Sequence, residues 1–303
     1  MSIQAAELRK KGIVELTIAM VLSGTIGVFV FESGAQPFTV AFWRCVFGAG
    51  ALGLYCWIRG FFSDTGFTRK TFLLALLGGV FIVYNWAFLF SAYAKTSISL
   101  ATVVYHTQPF YVVLLGALVF KEKLTAAKLG WVGVAFAGVV LVTDITSVTV
   151  SGSYLLGIGQ ALLAALLYAF ATIIAKQLKG IRPHLIALVQ VTAGIFLLLP
   201  FVDFSGTASI GNGWAWLVGI GVIHTCVMYV LMYSSYQKLP TSLIAVLSFV
   251  YPVVAIIVDM SVYGTRIHPL QIVGILLICG ASLANSLGTS QRAGRLLNAG
   301  KSA

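Results

Sequence analysis

Ten times along this chain, apolar residues run on for about the twenty positions that a helix needs to cross the hydrocarbon of a bilayer. The stretches are approximately 12–33, 37–58, 70–93, 97–119, 126–143, 153–177, 184–202, 213–236, 241–262 and 268–288, separated by short polar or Gly/Pro-bearing turns. Of the 303 residues, 59% are hydrophobic and only 9% are charged, with a mean hydropathy of +1.00. A soluble domain carries about 25% charged residues, and water offers no place for this much apolar surface. Lipid around the outer face does. The expected fold is therefore an all-α integral membrane protein of ten transmembrane helices. Its turns are too short to hold a soluble domain, so successive helices are antiparallel neighbours.

The charges orient the bundle. The net charge is +11, which in a soluble protein would raise nucleic-acid binding. Here the basic residues sit in the loops. With the N-terminus in the cytoplasm, every Lys and Arg falls on that side except Lys95 and Arg266 opposite and Arg44 within a span. This is the positive-inside bias, and a missed or invented span would scramble it downstream. Both termini are expected in the cytoplasm, and no nucleic-acid partner is expected. The N-terminal Arg9-Lys10-Lys11 followed by apolar Gly12 to Phe31 is laid out like a signal peptide. Its apolar stretch is longer than the usual ~7–15 residues and no small-x-small cleavage pattern follows, so it is read as the first span. Cys45, Cys56, Cys226 and Cys279 all lie in apolar runs without metal or redox spacing and read as small buried hydrophobes.

The sequence also repeats itself. Leu89-Phe90-Ser91-Ala92-Tyr93-Ala94-Lys95 matches Met232-Tyr233-Ser234-Ser235-Tyr236-Gln237-Lys238 at a shift of 143 residues. The same shift carries Ser99-Leu100 onto Ser242-Leu243 and Pro109 onto Pro252; one slipped residue later, Gly130 falls on Gly274. Spans three to five thus match spans eight to ten, while one and two match six and seven only weakly. Five helices per half is an odd number, so the halves enter the membrane in opposite senses, an arrangement typical of secondary transporters. The expected units are residues 1–145 as a first repeat, 146–288 as a second and 289–303 as a polar cytoplasmic tail.

Residues that are costly in lipid mark the candidate site. Arg44 lies seven residues inside the second span, about 10 Å from its boundary at 1.5 Å per residue. A charge there costs at least ~2.5–3.5 kcal/mol. It either faces a cavity and binds a substrate carboxylate, pairs inside the bundle, or snorkels to the outer headgroups. His106 and His224 fall near the midplane, where an imidazole can bind substrate or a proton or simply bond to a neighbouring helix. Pro109 and Pro252 break spans four and nine at matched positions and are read as hinges of cavity-lining helices. Around them lie Asn85, Trp86, Thr102, Tyr105, Gln108, Tyr168, Met228, Ser248 and Tyr251. This set suits an amphipathic solute with a charged end and an aromatic or apolar body. Gln160, Tyr168 and Thr172 form an i, i+4 stripe with Ala164 between them. Glu15 and Asp259 sit about a turn from span boundaries, Asp259 towards the outer side, and read as snorkelled or locally paired, Glu15 with Lys10 or Lys11. No Walker A loop, metal cluster or nucleophile elbow occurs, so no cofactor, metal or catalytic residue is expected.

These features resemble the EamA-type branch of the drug/metabolite transporter superfamily. The resemblance rests on Ala101 to Phe110 leading through Val119-Phe120-Lys121-Glu122-Lys123-Leu124-Thr125 into Gly130, and on Ala245 to Pro252 leading to Tyr263-Gly264-Thr265-Arg266-Ile267-His268-Pro269 and Gly274. Thr265 stands where the family often has an acidic residue, and Ser23-Gly24 where many members have Trp-Gly. The resemblance implies a ten-span carrier in the bacterial inner membrane. Such carriers are often exporters of amino acids or related metabolites, working by alternating access without ATP. The substrate would be a small molecule, with membrane lipid around the protein. A proton as coupling ion and a homodimer stay open. The alternatives are a channel-like or non-transporting membrane protein and an uptake carrier of the same fold.

Overall fold

A computed structural model describes residues 3–120, 151–178, 180–236, 238, 239 and 250–281, with isolated positions 126, 130, 131, 133, 134, 137, 138, 141, 247 and 284. Polar side chains and prolines decide where its helices begin. After α1 (Ile3–Glu32), Pro37 opens α2 (Pro37–Ile58), where its missing N–H is no loss. The third helix, α3 (Arg69–Lys95), starts at a reciprocal cap: Thr68 Oγ1 accepts the Thr71 N–H, and Thr71 Oγ1 accepts the Thr68 N–H. Ser97 caps α4 (Ile98–Tyr105) by accepting the Leu100 N–H. Then come α5 (Gln108–Phe120), α6 (Gly152–Gln177), capped by Ser151, and α7 (Pro183–Leu198), opened by Pro183. A 3₁₀ turn and the short α8 (Phe204–Ala208) lead to a long rod of α9 (Gly213–Gly221), a π-helical segment (Val222–Val227) and α10 (Met228–Tyr236). Last come α11 (Val250–Tyr263) and α12 (Pro269–Ala281).

Six of these elements are long and apolar enough to cross a membrane: α1, α2, α3, α6, α7 with its 3₁₀ turn, and the α9–α10 rod. No strand occurs among the described residues. The burial pattern is inverted relative to a soluble protein. Phe196 is 72% exposed and Trp57 71%, whereas Asn85 is fully buried and Arg44 is 1% exposed. Such an outer face suits hydrocarbon, with polar groups turned inward.

The fourth expected span is two helices, not one. Pro109 has no N–H for the Tyr105 carbonyl four residues back. The ladder breaks accordingly: the His106 N–H bonds to Thr102 and Val103 O, Thr107 N–H to Val104 O and Phe110 N–H to Thr107 O. The break falls at His106-Thr107, so the expected interruption at Pro109 is present. Pro252 lies in the first turn of α11. The matching break expected ahead of it falls mostly outside the described residues. Most of the fifth expected span, Ser248 and the tail also lie outside the described residues.

Packing links the helices in a definite set of pairs. The α3 helix lies against α6 and α7, and α2 against α7 and α9. The α1 helix lies against α10 and α11, α4 and α5 against α6, and α11 against α4. Most of these contacts join into one continuous buried cluster that includes Trp86, Phe90, Tyr93, Tyr105, Met228 and Tyr229.

Candidate functional site

The π-helical segment creates the socket for Arg44. In an α-helix each N–H bonds to the carbonyl four residues back, in a π-helix to the one five back. The Met228 N–H still reaches Ile223 O, the π register, before α10 resumes the α register. Returning from one register to the other skips one carbonyl, and here the skipped one is that of His224. Arg44 Nη2 donates to it at 3.2 Å. Arg44 Nε donates to Thr225 Oγ1 at 3.0 Å, and that hydroxyl in turn donates to Ile220 O. The guanidinium carbon lies 4.0 Å from the centroid of the Trp86 ring and 5.9 Å from that of Phe90, both cation–π distances.

Snorkelling is thus excluded for Arg44: it is buried and fixed. So is a paired role among the described residues, where the ion pair is Lys238–Glu15 alone. Two of the five guanidinium N–H donors have acceptors among the described residues. The remaining donors and the charge itself have no anionic counterpart among the described residues. A desolvated cation without an anion is costly, and a ligand carboxylate is the natural complement for its planar fork.

The other expected residues form two groups joined to Arg44 through α3. In the first, Tyr93 OH and Tyr251 OH are 3.2 Å apart, Thr102 Oγ1 donates to Tyr93 OH at 3.4 Å, and the His106 ring lies 5.2 Å from that of Tyr251. His106 Nδ1 is 3.2 Å from Thr102 O. In the second, Asn85 Nδ2 donates to Tyr105 OH at 3.2 Å and to Ala164 O at 2.6 Å, and the Tyr105 and Tyr168 rings meet edge to face at 6.0 Å. Along the stripe on α6, Ala164 thus meets α3 and Tyr168 meets α4. Gln108 Oε1 and Gln160 Oε1 are buried without a hydrogen-bond partner among the described residues; acceptors left in this state suit a wetted or ligand-filled space.

Two expected residues face elsewhere. The His224 imidazole turns to α1, with Nε2 3.0 Å from Thr25 Oγ1 and its ring 4.4 Å from Phe29; its backbone, not its ring, serves Arg44. Met228 accepts a hydrogen bond from Ser23 Oγ at its sulfur, 3.1 Å away. Sequence reasoning missed Tyr93, Thr225, Phe90 and Tyr229, the last with its ring 6.4 Å from Trp86. It also misplaced two acids. Glu15 pairs with Lys238, not Lys10 or Lys11. Asp259 is 2% exposed and accepts the Ser99 N–H at 2.8 Å and the Thr265 hydroxyl at 3.1 Å.

Replacing Thr225 with isosteric valine removes an acceptor from Arg44 and a donor from Ile220 O. The variant is expected to lose about 1–3 kcal/mol of stability, read as a lower thermal-unfolding midpoint in detergent. An unchanged midpoint would mean that Arg44 is held by other contacts.

Comparison with known proteins adds the following. The model of the EamA-like transporter family matches the chain twice, over residues 10–144 and 155–287. A Bacillus subtilis protein described as the uncharacterized transporter YxxF is 34% identical over 274 residues, 89% of this chain and 88% of its own length. An Escherichia coli protein described as a probable amino-acid metabolite efflux pump is 28% identical over 229 residues, 69% of this chain and 74% of its own. A solved crystal structure superposes with a TM-score of 0.65 at 18% identity, covering 94% of this chain and 99% of its own, a likeness of fold alone.

Proposed function

We propose, from the premise that this chain belongs to the EamA-like transporter family, that it is a secondary carrier exporting small carboxylated amphipathic solutes such as amino acids. Membership makes it a multi-pass membrane transporter and not an enzyme. The observation that carries the substrate class is Arg44, a buried cation with donors unmatched among the described residues, an aromatic face over it and no described carboxylate against it. Export is supported by the similarity to the E. coli protein described as a probable amino-acid metabolite efflux pump.

Alternating access rests on a ten-helix, inverted five-plus-five plan with repeats 1–145 and 146–288 and both termini in the cytoplasm of a bacterial inner membrane. The packing pairs support it. Exchange α1 with α6, α2 with α7, α3 with the α9–α10 rod, and α4–α5 with α11. The pair α3–α6 then becomes the rod against α1, α1–α11 becomes α6 against α4–α5, α2–α9 becomes α7–α3, and α2–α7 maps onto itself. Spans one and two, weakly matched by sequence, thus pack as six and seven do. Two like halves of opposite sense around one site are the usual basis for alternating access. Thr102, Tyr105, His106, Gln108, Tyr168 and Tyr251, with Asn85 and Trp86, would line the path of the solute's body. A proton is the coupling ion of this proposal, with His106 the imidazole that lies among these residues.

Purified protein in liposomes, challenged with a panel of amino acids under solute and pH gradients, tests this reading. Saturable flux of a carboxylated solute is expected, faster when a proton gradient opposes it. Flux of none of the panel under any gradient would overturn the assignment.

A further inference from the structure

Both ends of the seam between the two halves are tied shut at once. At the end where α1 begins, Lys238 Nζ lies 2.6 and 2.5 Å from the Glu15 carboxylate oxygens and 2.7 Å from Ser234 Oγ. This half-buried ion pair joins α1 to the turn after α10. At the opposite end, where α11 and α3 finish and α4 starts, the Asp259 carboxylate accepts the Ser99 N–H at 2.8 Å and the Thr265 hydroxyl at 3.1 Å. An anion at a helix N-terminus is held by unpaired N–H groups and the helix dipole together. Each tie crosses between the halves: Glu15 and Ser99 belong to the first, Lys238 and Asp259 to the second.

We propose that these two ties are the alternating latches of the carrier, Glu15–Lys238 on the N-terminal side and Asp259 against the α4 N-terminus on the other, so that each side opens only when its own latch parts. The inference rests on the alternating-access reading above. The break at His106-Thr107 gives the second latch its moving part. The eight-residue α4 is disconnected from the α5 ladder, packs on α11, and is tied at its far end by Asp259. Releasing that end lets α4 pivot about the break without bending a continuous helix. Ser99 Oγ, beside the latch, is fully buried with no hydrogen-bond partner among the described residues, and opening to water would satisfy it. The first latch needs no such hinge, because Lys238 reaches Glu15 on a long flexible side chain.

The test uses Thr102→Cys as a reporter on α4, in a protein whose four native cysteines are replaced. Labelling by a membrane-impermeant maleimide is timed from each face of oriented vesicles, alongside solute flux by the wild type in the same vesicles. Glu15→Gln is expected to raise labelling roughly tenfold from the N-terminal face only, the bias that losing about 1.4 kcal/mol of latch energy produces. Asp259→Ala is expected to do so from the opposite face only, with Asp259→Asn, which keeps one acceptor oxygen, in between. Exchanging the charges, Glu15→Lys with Lys238→Glu, should return labelling to the starting rate, which separates a latch from mere misfolding. Variants that label like the parent, or that label faster from both faces alike, overturn the latches. Wild-type flux in those vesicles shows whether the carrier reading survives that failure; its absence would remove the carrier reading itself.

Discussion

Replacing Arg44 with alanine is expected to cut transport of carboxylated solutes at least about thirtyfold while leaving a folded protein in the membrane. Truncating one side of a buried, hydrogen-bonded charge pair costs ~2–5 kcal/mol, a factor from about thirty to several thousand. The solute's carboxylate would be left in a desolvated pocket facing an indole. The fold should tolerate the change because two effects oppose each other. The carbonyl skipped by the π-helical ladder loses its only described donor, at about 1–3 kcal/mol. Against that, a buried cation no longer has to be stripped of water, which is worth several kcal/mol. Arg44→Lys should fall between wild type and alanine, since an ammonium keeps the charge but cannot span Thr225 Oγ1 and the His224 carbonyl with one rigid fork. Flux in liposomes and elution as a single species give the two readouts. Undiminished flux by the alanine variant would end the carboxylate role.

Gly221→Val is expected to abolish folded protein altogether. A Cβ at Gly221 would lie 2.3 Å from the Phe47 Cβ and 3.0 Å from the Gly48 backbone nitrogen. Neither atom belongs to a flexible side-chain end, so α2 and α9 must separate bodily. Overpacking of this kind usually costs ~1–3 kcal/mol, and here the separation also draws Arg44 away from Thr225 and the π-helical carbonyl. Gly50→Ala is the matched control. Nothing lies within 4 Å of a Cβ there, and alanine is the better helix former by about 1 kcal/mol. Expression followed by size-exclusion chromatography compares them. A monodisperse Gly221→Val protein with wild-type thermal stability would show that the two helices are not locked at this crossing.

What the sequence could reveal depended on the range of each interaction. The all-helical, apolar character of the chain, the break ahead of Pro109 and the oddity of Arg44 were legible because each is a local anomaly: a run of apolar residues, a missing N–H, a charge in an apolar stretch. The partners of Glu15 and Asp259 were not. Spacing along one helix offers only neighbours three or four residues away, whereas Lys238 is 223 residues from Glu15 and Ser99 is 160 from Asp259. The candidate site divides the same way. Trp86, Tyr105 and His106 stand out as polar or aromatic residues near mid-span. Thr225 does not, since its value to Arg44 depends on a change of helical register that no side chain announces. His224 drew notice for its imidazole, yet it is the peptide carbonyl that matters, a group every residue possesses.

The π-helical segment has one last consequence, which concerns chain length. Such a turn holds one residue more than an α-helix needs for the same rise. Each residue beyond it therefore sits about 100° and about 1.5 Å short of where an unbroken helix would place it. The part of the rod bearing Leu217 and Ile220 and the part bearing Tyr229 and Met232 are phased independently, each to its own neighbours. Deleting Val222, Ile223 or Cys226 is expected to restore a regular ladder and erase the carbonyl acceptor for Arg44. None of these three side chains touches the guanidinium, so the loss would come from the change of register alone. In this rod the count of residues is itself part of the information that specifies the socket of Arg44.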